Sequence, residues 1–351
     1  MDDQVRIVVA GAGSIGCFVG GSLALADRKV RLLLRPRLGD RLREFGLRLT
    51  DLDGRDRSLP PGRLDLSTDP AEAFGDAGVI LVTVKSGDTR EMARLISRHA
   101  PPGAIVVSLQ NGVDNVPLLR SELAGRAMVA GMVPFNVAQS LPDGVAPRFH
   151  RSTSGAVTIE EGHEKLRTLL DVDGLQCRAH PDMAGLAWSK LILNLNNALN
   201  ALSGLSLREE LSQRRWRLLL ARQMTEALAV TRRAGLALPR IEGVSPAMIP
   251  HILRLPDVLF GIVARRMLAI DPQATSSMAE DLAAGRKTEA EFLQGAVVRL
   301  AATQGMKAPM AEAIIAMVAD REKGGGSRTP EEVARRLADA RDDVKATPPP
   351  S

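Results

Sequence analysis

The chain has no tyrosine, two tryptophans and seven phenylalanines, so aromatics supply only 3% of its 351 residues. Platforms on which nucleic-acid bases stack need more than that. A formal net charge of +5 comes from arginines scattered along the chain and not gathered into runs, so no nucleic-acid partner is expected. Two cysteines, Cys17 and Cys177, provide neither a disulfide framework nor a metal-ligand cluster, and they fit a reducing cytoplasm. The five histidines, at 99, 150, 163, 180 and 251, share no spacing that would make them ligands or bases. No run approaches 18 uncharged apolar residues, which argues against a membrane span. The N-terminus shows no basic start and apolar core of a signal peptide, and enters a strand directly.

Glycine is plentiful, with 31 residues, and its placement near the N-terminus is informative. Val5-Arg6-Ile7-Val8-Val9-Ala10 reads as a strand and is followed by Gly11-Ala12-Gly13-Ser14-Ile15-Gly16. In a strand–turn–helix of this form the first glycine permits the turn and the second lets backbone approach a pyrophosphate. The third brings helix and strand together. Phosphates then face the amides of the first helical turn, Ser14 and Ile15 among them, at the positive end of the helix dipole. A plain strand-to-helix turn is the bland alternative. The next strand, Lys29 to Leu34, ends at Arg35, where an NAD enzyme normally carries an acid for the ribose 2′-hydroxyl. A guanidinium suits a 2′-phosphate instead, which points to NADP(H). The bland reading of Arg35 is one more surface arginine.

The length accommodates two domains. Residues 1–178 alternate short apolar runs with helical stretches, as a Rossmann-type, doubly wound parallel sheet does. Strands are expected at Val79 to Val84, Ala104 to Leu109, Ala127 to Met132 and Gly155 to Ile159. Residues 179–322 read as an all-helical second domain, with helices over Trp188 to Leu202, Arg215 to Ala234, Val258 to Ile270 and Glu289 to Gln304. Residues 323–351 read as a flexible break at Gly324 to Ser327, a short amphipathic helix over 328–343 and a frayed tail from Thr347.

Within Trp188 to Asn200 the helical period puts Lys190, Asn194 and Asn197 on one face, with Trp188, Ile192, Leu195 and Leu199 on the other. Asparagine is a mediocre helix former, and four in a short stretch call for a role beyond local stability. A solvated face or a hydrogen-bond ladder is one such role. A polar face turned to a cofactor, with Lys190 donating a proton to a ketone reduced by hydride, is the other.

These motifs together give the chain a resemblance to the ketopantoate reductases (2-dehydropantoate 2-reductases), from Gly11 to about Met317. They are GAGSIG, the strand-closing Arg35, LVTVKS around Lys85, LQNGV around Asn111, WSKLILN around Lys190, and SSM…RKTE around Ser277 and Glu289. The resemblance implies reduction of ketopantoate to (R)-pantoate with NADPH, on the route to pantothenate and coenzyme A. Lys190 and Glu289 would be catalytic, and Asn194, Asn197 and Ser277 would bind substrate. Gly11, Gly13, Ser14, Ile15, Gly16, Arg35, Lys85 and Asn111 would hold the cofactor. Bland readings stand beside several of these: Lys85 as a solvated lysine, Asn111-Gly112 as a turn, Ser277 as a helix cap, Glu289 as a first-turn acid. Two departures bear on the substrate. Many members have a second asparagine eight residues after the lysine, where this chain has Ala198, with Asn197 and Asn200 as substitutes. The segment from Leu236 to Asp271 is also longer than in compact members. A dehydrogenase for another 2-oxo, 3-hydroxy or imino acid is therefore the alternative, and a non-catalytic NADPH sensor a more distant one. Whether the protein forms a homodimer stays open.

Overall fold

Val8, Ala10, Ile80, Val82 and Val106 lie on one side of a sheet and Ile7, Val9, Val79, Leu81 and Val107 on the other, and all ten are buried. A strand covered on both faces has no use for polar alternation, which is why these runs are apolar throughout. The computed structural model describes residues 5–264 and 274–346. The chain divides into two compact units, Met1–Ala184 and Gly185–Ser351.

The strands of the first unit are β1 (Ile7–Ala10), β2 (Val30–Leu33), β3 (Leu47–Asp51), β4 (Asp56–Leu59), β5 (Asp65–Ser67), β6 (Val79–Val82), β7 (Ile105–Ser108), β8 (Met128–Met132), β9 (Val137–Ser140), β10 (Arg148–Arg151), β11 (Val157–Glu160) and β12 (Cys177–His180). Among the described residues they form an eight-stranded sheet, β12-β11-β8-β7-β6-β1-β2-β5, and a four-stranded one, β4-β3-β10-β9. The large sheet is parallel, as expected of a Rossmann-type unit, except where β11 runs against β8. The chain leaves β1 toward β2 and later resumes on its other side with β6, so the order reverses between β1 and β6. In open sheets of this kind ligands bind beyond the carboxyl ends of the strands at that reversal.

The small sheet was not anticipated. It joins β3 to β10 across 100 residues, with Phe149 opposite Leu49, and no local pattern announces such a pairing. It packs on helix Ser14–Leu25, where a Cβ on Gly21 would lie 2.5 Å from Leu47 Cδ2. Five residues earlier, a Cβ on Gly16 would lie 2.6 Å from Thr83 Oγ1 and 3.0 Å from Val9 Cγ1. Bare backbone on both faces thus lets a single helix serve two sheets.

The described part of the second unit is helical. The long helix expected from Arg215 runs Arg214–Arg233 and that expected from Glu289 runs Ala290–Thr303. The helix expected over Trp188 to Leu202 is instead two, Met183–Asn194 and Asn196–Ser203. The register slips at Leu195, whose N–H bonds the carbonyl of Ile192 at 3.3 Å, a tighter i→i−3 bond. Its own carbonyl accepts from Gln294 Nε2 at 3.1 Å.

The segment after Leu236 turns at Glu242-Gly243, both with positive φ, and continues through helices Ile249–Leu253 and Asp257–Val263. The rest of the helix expected to reach Ile270 lies outside the described residues. Arg217, fully buried, pins this segment by donating to the carbonyls of Leu253 and Leu255 and to Asp257, and its guanidinium lies 4.1 Å from the Phe260 ring centroid. The final helix, Pro330–Ala346, buries Val333 and Leu337. The tail from Thr347 lies outside the described residues. No helix among the described residues is long and apolar enough to cross a membrane.

Candidate active site

Each glycine of the N-terminal turn has a separate physical reason. Gly11 takes φ 86°, and a Cβ there would sit 2.1 Å from Val84 Cγ1. Gly16 provides the close helix–strand contact described above. A Cβ on Gly13 would meet nothing within 4 Å, and Gly13 is exposed. The protein's own packing therefore does not require a glycine at 13, whereas a ligand lying against the turn would. Helix Ser14–Leu25 starts at Gly13 with no side-chain cap and no acid in its first turn. Its leading amides, those of Ser14, Ile15 and Gly16, thus lack acceptors within the helix. Cys17, buried behind them, has its thiol pKa raised by desolvation and packs with its Sγ 3.3 Å from the Ala12 carbonyl. A buried neutral thiol of this kind is inert packing.

Arg35 follows β2 and stands at the N-cap position of helix Pro36–Phe45 without capping it, with 89% of its side chain exposed. Its guanidinium lies 3.6 Å from Asp88, itself largely exposed. So open an ion pair contributes little, and a doubly charged phosphate would displace it. Asp88 belongs to the turn after β6, which Lys85 opens as an exposed residue. Asn111, half-buried, sits just beyond β7, and the next residue, Gly112, has φ 87°. The turn reading of this dipeptide is therefore also correct as geometry.

Sequence reasoning missed what holds these two loops together. Buried Gln110 donates through Nε2 to the Val84 carbonyl at 3.0 Å and to Thr89 Oγ1 at 2.7 Å. Thr89 Oγ1 donates to Asn115 Oδ1 at 2.8 Å. Asn115 Nδ2 in turn donates to Ser86 Oγ at 3.0 Å and to the Asn111 carbonyl at 2.6 Å. The backbones carrying Lys85 and Asn111 are thus tied by side chains from both loops. In sequence these residues are ordinary loop polars, and only the fold makes them a network.

In the second unit, Trp188, Ile192, Leu195 and Leu199 are buried, as the helical period requires. Lys190, Asn194 and Asn197 are each partly exposed. Burial lowers the Lys190 pKa to about 8, and the nearby charge of Glu289 works in the opposite direction. The structure therefore brings Lys190 and Glu289 together, from positions almost 100 residues apart. Glu289 occupies the N-cap position of helix Ala290–Thr303 without capping it, so it is not the first-turn acid of the bland reading. Asn197 Nδ2 approaches Ser277 Oγ at 3.5 Å. Ser277 is exposed and does not cap its helix. Buried Ser276 is the cap, accepting from the Ala279 N–H at 3.2 Å. Asn200, offered as a substitute for the missing asparagine, is fully buried and bonded to Glu210, Leu205 and Ser276. Ala198 is buried as well. Of the two substitutes, Asn197 is the one partly exposed beside Ser277.

A family model for ketopantoate reductase PanE/ApbA matches residues 7–164, and one for its C-terminal part matches residues 182–322. The chain belongs to the ketopantoate reductase family. It is 28% identical over 330 residues to the 2-dehydropantoate 2-reductase of Halobacterium salinarum, covering 92% of this chain and 100% of that one. The PanE/ApbA family ketopantoate reductase from Ralstonia eutropha JMP134 has a similar structure. Its TM-score is 0.75 at 29% identity, over 91% of this chain and 99% of that one. A D-mandelate dehydrogenase solved with NADH and anilino(oxo)acetate has a TM-score of 0.72 at 18% identity, over 91% and 99% of the two chains, a likeness of fold. As a ketopantoate reductase family member the protein is an oxidoreductase built on a Rossmann-type unit and a helical unit.

Proposed function

We propose that the protein is an NADPH-dependent 2-dehydropantoate 2-reductase, reducing the C2 ketone of ketopantoate to the hydroxyl of (R)-pantoate on the route to pantothenate and coenzyme A. The observation that carries the chemistry is Lys190, an ammonium brought to a pKa of about 8 by burial with Glu289 beside it. An acid whose pKa lies close to working pH gives up its proton readily when charge develops on an alkoxide. Lys190 is accordingly the proton donor, and Glu289 keeps it charged and oriented.

The residues present fit a nicotinamide dinucleotide phosphate. The open backbone at Gly13 and the amides of Ser14, Ile15 and Gly16 suit the pyrophosphate, and exposed Arg35 suits a 2′-phosphate. Lys85 and Asn111, fixed at the carboxyl ends of β6 and β7, complete the cofactor set. When bound, the reduced nicotinamide supplies the hydride. Asn194, Asn197 and Ser277 bind the oxo acid, with Asn197 taking the hydroxyl contact that Ala198 cannot make.

That substitution favours one competing reading, in which the substrate is another 2-oxo, 3-hydroxy or imino acid. The deciding experiment follows NADPH absorbance with purified protein and ketopantoate, beside NADH and a panel of other 2-oxo acids. Fast turnover confined to NADPH and ketopantoate is expected. Preference for another acid would establish the competing reading, and equal use of NADH would remove the role of Arg35.

A further inference from the structure

We propose that Asn200 is a positioning residue: clamped by Glu210, its side-chain amide grips the backbone of Ser276 and so sets Ser277 against Asn197. The inference rests on the reading that Asn197 and Ser277 hold the oxo acid. Asn200 Oδ1 accepts the Ser276 N–H at 2.8 Å, and Asn200 Nδ2 donates to Glu210 Oε2 at 2.8 Å and to the Leu205 carbonyl at 3.0 Å. Ser276 Oγ donates to the Asn197 carbonyl at 2.9 Å. Asn197 and Asn200 are one turn apart on helix Asn196–Ser203, so Ser276 is held at two points of one helical turn. The next residue, Ser277, then projects its hydroxyl beside the Asn197 amide.

Glu210 removes an ambiguity. An asparagine amide can rotate by half a turn and exchange its donor and acceptor ends. A flipped Asn200 would point N–H groups at the Ser276 N–H and its oxygen at the Glu210 and Leu205 oxygens, leaving buried groups unpaired. Glu210 Oε2, buried and also approached by Asn196 Nδ2 at 3.3 Å, takes the donor end together with the Leu205 carbonyl. The carboxyl is expensive to bury, its pKa being raised to about 8 chiefly by desolvation. Packing alone gives no reason for a carboxyl here; orienting Asn200 does.

Asn200→Asp, measured above about pH 8 where Glu210 is charged, tests the clamp, because it keeps an oxygen for the Ser276 N–H but opposes Glu210 and the Leu205 carbonyl with a second oxygen. Asn200→Asp combined with Glu210→Gln restores a donor–acceptor pair with the roles exchanged. Hydrogen exchange at the Ser276 amide reads the clamp without any substrate: protection is expected to fall in the single variant and to return in the double. In turnover, the single variant is expected to raise KM for ketopantoate about tenfold, with kcat changed less than about threefold. The double should return KM to within about threefold of wild type, and NADPH affinity, read by fluorescence titration, should not move. Unchanged Ser276 exchange, an unchanged KM, or a double variant no better than the single would each overturn the clamp. Wild-type protein that binds NADPH without turning over ketopantoate would overturn the substrate reading instead. Should Asn200→Asp be insoluble, Glu210→Leu replaces it: it removes the oxygen that accepts the Asn200 N–H, and lowered Ser276 protection supports the clamp whereas unchanged protection overturns it.

Discussion

Lys190 and Glu289 are opposed in their effect on one proton: desolvation of the lysine weakens its hold and the neighbouring carboxylate strengthens it, leaving the pKa at about 8. The donor in ketone reduction must be charged. Reduction should therefore proceed at a plateau below about pH 8 and fall as pH rises through that value, while the reverse oxidation rises over the same range. Glu289→Gln removes the influence that raises the pKa and should move the falling limb of kcat/KM to lower pH. Lys190→Ala should lose roughly a hundredfold or more in kcat, and near-normal turnover would exclude it as the donor.

Arg35 is almost fully exposed and only weakly paired with Asp88, so its replacement should leave the fold intact. Arg35→Asp is expected to weaken NADPH binding on the order of tenfold to a hundredfold relative to NADH. Titrating both nucleotides checks this, and equal losses would show that the arginine does not read a 2′-phosphate.

Two glycines of one turn should respond differently to alanine. Gly11→Ala forces a side chain into positive φ and into Val84, and should destabilise by at least about 1–3 kcal/mol. Gly13→Ala meets open space and should hardly move Tm while weakening nucleotide binding. A stable Gly13→Ala protein with wild-type NADPH affinity would separate this turn from the pyrophosphate.

Glu210 gives stability a pH dependence of known sign. Its ordinary pKa is 4.5 and burial raises it to about 8. Between those values the folded state holds a proton that the unfolded state has released, so stability falls as pH rises across that window. Glu210→Gln cannot titrate and should flatten this decline, with its Tm gaining on wild type between about pH 5 and about pH 8. Parallel melting curves would contradict the assignment.

What could be read from the sequence was what depends on neighbours along the chain. The strands β1 and β6 announce themselves because a doubly covered strand is apolar at every position, and β2, β7, β8 and β11 because they are short runs rich in apolar or β-branched residues. The glycine turn is legible because all three of its requirements fall within six residues. Strands β3, β4, β9 and β10 stayed hidden, since the two local pairs, β3 with β4 and β9 with β10, become one sheet only where β3 meets β10 across 100 residues. The helix break at Leu195 was equally illegible, because it accompanies a hydrogen bond from Gln294.

The sequence by itself determined the Rossmann-type unit, the helical unit and the residue types of the proposed site, because hydrophobic period and turn chemistry act locally. Only the tertiary structure decided that the charge of Glu289 is near enough to act on Lys190, that Ser276 and not Ser277 is the cap, and that Asn200 points inward. A side chain's burial and hydrogen-bond partners are set by elements distant in the chain, and it is those that divide four neighbouring asparagines between surface and core.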